Sequence, residues 1–194
     1  MPAAASPGAE EVTASAVIDQ FHGALSSAWR DAAKLGFEGR RKIMAPAVAR
    51  AFDTPTMLRV ATGRYWKEFS ADQRQALVDA FRAMTTATYA GRFEDYAGQY
   101  FETLSETPGR RGRVLVKTRL IKANGDSVAF NYLLRPVGGG WRILDIYLKG
   151  TFSELAVRRS EFSSLLAAGG YPRLLASMRD KAAQYQDAGA PAAD

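Results

Sequence analysis

Apolar residues in the first half of the chain recur at helical spacing. Val17, Phe21, Leu25 and Ala28, flanked by Ile18 and Trp29, predict an amphipathic helix that starts near Val12 and ends at Gly36. A short helix follows with Ile43 and Met44, and Pro46 interrupts or restarts it. Thr54-Pro55 reads as a helix start, a capping hydroxyl followed by Pro in the first turn, with Met57, Leu58, Ala61 and Tyr65 along one side. Ser70-Ala-Asp-Gln73 fits a capping box for a long helix with the stripe Leu77, Ala80, Phe81, Met84 and Thr88, extended by Tyr89, Phe93 and Tyr96 up to Gly98.

The period then changes to two. Tyr100–Ser105 is a short strand. In the next, Val114, Val116, Thr118 and Leu120 share a face, with Lys117 and Arg119 opposite. Asn124-Gly125 signals a hairpin, and the return strand puts Val128, Phe130, Tyr132 and Leu134 on one face. Pro136–Gly140 turns into a fourth strand, Trp141–Leu148. Helices resume after Gly150: Ser153 caps a helix through Leu155, Phe162, Leu165 and Leu166, Gly169-Gly170 stops it, and Tyr171-Pro172 opens the last one. Helices, then strands, then helices predict an α+β fold built on a four-stranded antiparallel meander. One domain over residues 11–186 is expected, between a disordered start at 1–10 and a disordered tail at 187–194.

Composition narrows the function classes. An apolar share of 47% is ordinary for a globular chain, and no run approaches the ~18 apolar residues of a membrane span. Without cysteine there are no disulfides and no thiolate chemistry. The Pro/Ala-rich start lacks a basic flank and an apolar core, and reads as the front of a chain whose secretion signal has been removed. The net charge of +6 is spread out, its densest points being Arg40-Arg41-Lys42 and Arg110, Arg111 and Arg113. Both read as solvated surface rather than a nucleic-acid stripe, and Tyr65 and Trp66 turn partly toward the core.

Catalytic equipment is sparse. The one histidine, His22, lies inside an amphipathic helix, where packing is its expected role. No HExxH, GxSxG, Walker A or GxGxxG occurs, and Gly138-Gly-Gly140 lies between strands, where it makes a turn rather than a phosphate cradle. Neither a metal nor a cofactor is expected. Asp145, mid-strand near Tyr132 and Tyr147, would be the base of a small cone-fold isomerase; the competing role is to accept hydrogen bonds that lock the sheet. A basic adaptor protein is a further alternative.

The runs GRYWKEFSADQRQALVDAF from Gly63, TYAGRFEDYAGQYFE from Thr88 and GWRILDIYLKGTFSELAVRRSEFSSLL from Gly140 resemble the MlaC, or toluene-tolerance, family. These are periplasmic phospholipid carriers serving an ABC transporter. The resemblance covers roughly Val12 to Lys181 and rests on ordered blocks rather than one signature. Gly36-Phe-Glu-Gly-Arg40 and the Ser153–Phe162 stretch are most similar to the hopanoid-associated branch, HpnM, whereas Lys149 departs from the acid common in the family. The resemblance implies a twisted sheet with helices on one face around an apolar pocket, an NTF2-like cone. It also implies a periplasmic location and no enzymatic activity. The implied function is shuttling of phospholipid or hopanoid between inner and outer membranes, a role in outer-membrane lipid asymmetry. The implied partners are an MCE-domain inner-membrane transporter component and an outer-membrane lipoprotein/porin complex, with no nucleic acid.

The expected lipid-binding residues begin with the sheet face Val116, Leu120, Phe130, Tyr132 and Leu134, joined by Phe101, Ile146 and Leu148. Val60, Tyr65, Phe81 and Met84 cover them, with Tyr89, Phe93, Phe152 and Leu155 at the margins. Arg92, Arg113 or Arg119 would meet a phosphate at the rim. On the residues alone a solid, interdigitated core satisfies the same pattern; the resemblance is what implies a hollow. Such a carrier answers a physical need. At about 0.8 kcal/mol per buried methylene, a sixteen-carbon tail resists leaving a membrane by about 13 kcal/mol.

Overall fold

A computed structural model describes residues 12–92 and 96–188 of the chain. Helices α1 (Ala14–Arg30), α2 (Ala32–Ala51), α3 (Thr54–Thr62) and α4 (Ala71–Arg92) precede strands β1 (Tyr100–Pro108), β2 (Val114–Ile121), β3 (Ser127–Val137), β4 (Gly140–Leu148) and β5 (Phe152–Ser153). Helix α5 (Glu154–Ala188) closes the chain. The strands form one antiparallel sheet in the order β1-β2-β3-β4-β5. The meander therefore has five strands, not four, because Phe152 and Ser153 pair with Leu148 and Tyr147 before the chain turns helical. The expected disordered ends at 1–10 and 189–194 lie outside the described residues, and positions 187 and 188, expected in the tail, belong to α5.

Local signals set several boundaries. The Ser70 N–H donates to Gln73 Oε1 at 3.0 Å and the Gln73 N–H to Ser70 Oγ at 3.1 Å, which is the reciprocal capping box. Ser153 Oγ accepts from the Ala156 N–H at 2.9 Å and starts α5. Other boundaries move. Asp53, not Thr54, caps α3, accepting from the Thr56 N–H at 3.2 Å. Its second oxygen pairs with Arg135 on β3, a contact that a neutral threonine hydroxyl would make more weakly. The first helix breaks at Asp31 rather than Gly36, which instead kinks α2 with φ of +59°. Pro46 neither interrupts nor restarts α2; it lies on the solvent face, where water can serve the carbonyl that its missing N–H leaves unbonded. Gly169 and Gly170 leave helical geometry as predicted, yet α5 resumes directly behind them.

The sheet register places Val114, Val116, Thr118 and Leu120 opposite Leu134, Tyr132, Phe130 and Val128, the face read from the alternation. Leu144 is bulged out of the β3–β4 ladder, so Leu133 faces Asp145 while Leu134 faces Ile143. That extra residue lets Ile143 and Ile146 both be buried although they sit three apart.

Two polar groups anchor the layers. Asp145 is buried; its Oδ1 accepts from the N–H groups of Ile146 at 2.8 Å and Leu155 at 2.9 Å, and its Oδ2 accepts from the Ser153 hydroxyl at 2.6 Å. The carboxylate thus ties β4 to the first turn of α5. His22 on α1 is 5% exposed, stacks on Phe101 at a centroid distance of 4.0 Å, and its Nε2 is 2.9 Å from the Tyr132 hydroxyl. Burial pushes the His22 pKa from its ordinary 6.5 down to about 3, so the ring is neutral in the folded protein.

Two stability predictions result. A folded-state pKa below the unfolded one means stability is full above pH 6.5 and is lost as pH falls toward 3, at about 1.4 kcal/mol per pH unit. His22 is the only histidine, so urea midpoints between pH 6.5 and 4.5, above most carboxylate titration, should show this slope, and His22→Phe should flatten it. Asp145→Ala, which strands the donors of Ile146, Leu155 and Ser153, should cost about 3 kcal/mol in urea unfolding.

Candidate functional site

The sheet, α4 and the start of α5 do not meet everywhere. Between them is a cavity of about 320 Å³. Phe81, Met84 and Tyr89 come from α4, Phe101 from β1, Phe130 and Tyr132 from β3, Ile146 and Leu148 from β4, and Leu155 from α5. All of these are sequence-predicted residues. Leu25 on α1, Phe52 between α2 and α3, and Met57 on α3 also line the hollow and are not among the expected lipid-binding residues.

The remaining predicted residues lie off the cavity. Val116 and Leu134 share the sheet face but are fully buried in solid packing, and Leu120 sits toward the β2 end, paired with Phe101 and Val128. Val60 is 37% exposed on α3. Tyr65 lies in the short 3-10 turn after α3, its hydroxyl accepting from Arg64 at 3.1 Å. Phe152, on β5, is 63% exposed. Phe93 lies outside the described residues.

Edge-on aromatic contacts run along and behind one side of the hollow. The Phe21 ring packs edge-on against Phe52 at 5.2 Å and Tyr89 at 5.1 Å, and Phe101 packs edge-on against Phe130 at 6.2 Å. Burial pushes the Tyr132 hydroxyl well above its ordinary pKa, with Tyr89 adding to the effect. Burial likewise raises that of Tyr89; the nearby Glu154 adds to the rise, and Arg92 and Arg158 oppose it. Both phenols therefore stay protonated, and with His22 neutral behind Tyr132 this wall of the cavity carries no charge.

Charge appears at one end only. Arg92, the last residue of α4, and Glu154 and Arg158, one turn apart on α5, complete the lining. A shallower surface basin of about 680 Å³ shares these three residues and adds Val157, Ser160, Glu161 and Lys181. The three shared residues thus form a collar where the hollow meets the surface. Thr85 and Thr88 lie near it, but each hydroxyl donates back to its own helix, to the carbonyls of Phe81 and Met84 at 2.8 Å. Of the arginines expected at a rim, only Arg92 is there. Arg119 pairs with Glu102 at 2.8 Å on the opposite sheet face, and Arg113 precedes β2 outside the cavity lining.

The arrangement suits apolar binding better than catalysis. Asp145 does not line the cavity, and both of its oxygens are taken by the donors described above. Among the described residues no group of three His, Asp or Glu side chains could hold a metal ion, and no helix is long and apolar enough to cross a membrane.

Known proteins share this architecture. A phospholipid-binding protein from Ralstonia solanacearum, solved in complex with a phospholipid, superposes with a TM-score of 0.75 at 20% sequence identity, covering 90% of this chain and 97% of that one. At that identity the likeness establishes the fold. The family model for MlaC protein matches residues 20–180, which takes in α1 from its second turn, the whole sheet and most of α5. The chain therefore belongs to the MlaC family.

Proposed function

We propose that this protein is a periplasmic lipid carrier that holds acyl tails in the cavity between α4, α5 and the sheet, and that it performs no covalent chemistry. The observation that carries this is the division of the lining: apolar and aromatic along the hollow, charged only at the collar. Tails gain from the first part what they lose on leaving a bilayer, about 0.8 kcal/mol per methylene, and a head group stays at the collar near water. The family and the phospholipid held by the Ralstonia protein support the same assignment. A collar with two guanidinium groups favours a phosphate-bearing lipid over a hopanoid, whose ring system offers them no anion. Exchange with an MCE-domain transporter at the inner membrane and a lipoprotein/porin complex at the outer membrane completes the proposed shuttle.

Volume sets a condition on loading. A cavity of about 320 Å³ is at the lower end of the roughly 300–1,000 Å³ that pockets for one drug-sized ligand span. Two long tails need more. The wall must therefore yield as they enter, and Met57 and Met84, unbranched and adaptable, are the side chains best suited to doing so.

Organic extraction of protein purified from a native host, followed by mass spectrometry, should reveal about one phospholipid per chain; a clean extract would remove the basis for the proposal. Met84→Trp, which fills the hollow at a cost of about 1–3 kcal/mol in stability, should cut the lipid-to-protein ratio severalfold. Unaltered lipid content in a folded variant would place the tails elsewhere.

A further inference from the structure

The collar has more chemistry than an anion site requires. Besides Arg92 and Arg158, it carries Glu154 at the same opening. Glu161, farther out, is already engaged, accepting from Arg158 at 2.7 Å and Lys181 at 3.4 Å. Glu154 has no ion-pair partner among the described residues. Arg92 spends its Nε–H on the Tyr185 hydroxyl at 3.1 Å, and its terminal Nη donors have no further partner among the described residues. An opening of both signs, with an anion and a guanidinium edge uncommitted, is complementary to a head group of both signs.

We infer that the collar is a head-group subsite for a phospholipid bearing both a phosphodiester and a primary ammonium. The phosphodiester accepts from the Nη groups of Arg92, with Arg158 adding positive potential. The ammonium donates to the Glu154 carboxylate. A purely anionic head group, such as phosphoglycerol, satisfies the arginine but offers Glu154 no ammonium to accept from. The fold fixes the position of Glu154. It is the first residue of α5, between Ser153 and Leu155, and both neighbours donate to Asp145. This inference rests on the carrier reading and goes further by naming the class of cargo.

The test uses the full chain, stripped of lipid and incubated with vesicles containing equal amounts of phosphatidylethanolamine and phosphatidylglycerol. The protein is then re-isolated, and its lipid is extracted and counted by mass spectrometry. Wild type should hold about threefold more phosphatidylethanolamine than phosphatidylglycerol, the scale of one partly exposed ion pair. Glu154→Gln should bring the ratio, taken per bound lipid, back to that of the vesicles. Arg92→Gln should weaken retention of both lipids, and Arg92→Lys should restore it in part. A wild-type ratio that matches the vesicles overturns the subsite with no variant needed, and so does a preference that survives in Glu154→Gln. Lipid bound without preference defeats this inference alone, whereas no bound lipid at all defeats the carrier reading beneath it.

Discussion

The contact between His22 and Tyr132 sits where the helical layer meets the middle of the sheet, and much of the candidate site depends on it. Tyr132 is among the largest fully buried side chains, and its hydroxyl needs a partner so far from water. His22 supplies one while lying flat against Phe101. Both Phe101 and Tyr132 line the cavity, so one hydrogen bond and one ring stack fix this wall. Burial keeps both partners neutral, and the polar pair introduces no charge beside the space proposed for hydrocarbon. The arrangement costs the protein acid stability, because the unfolded histidine binds a proton that the folded one refuses.

Features that depend on a few adjacent residues could be read directly from the chain. Ser70 and Gln73 form their box within one turn, and the alternation from Val128 to Leu134 set the buried face of β3. Where a distant group intervenes, the reading shifts. Asp53 took the cap from Thr54 while also meeting Arg135 across the fold. The bulge at Leu144 breaks the alternation and has no marker such as glycine or proline. Phe152 and Ser153 were too short a segment to read as a strand before Glu154 began α5.

The hollow was not legible in the same way. Periodicity tells which side chains turn inward, but not whether those that face each other touch. Val116 and Leu134 are on the same sheet face as Phe130 and Ile146, yet the first two are in solid packing and the second two line the cavity. The collar was hidden for another reason. Arg92 ends α4 and Glu154 begins α5, with the whole sheet between them in sequence, so only the folded chain makes them neighbours. The family likeness implied a pocket, and the structure has a cavity between the helices and the sheet that we propose for it.

Asp145 has an effect beyond the energy of its hydrogen bonds. A container that swells to take its contents usually distorts at the opening as well. Here the residues on either side of Glu154 are both fastened to a carboxylate on β4, whereas the parts suited to give way, Met57 and Met84, lie on α3 and α4. The rim on the α5 side is therefore mounted on the rigid half of the molecule and the expandable lining on the other. In the proposed carrier, the interior would adapt to tails of different length and kink while Glu154 and Arg158, at least, would meet each arriving molecule in the same arrangement.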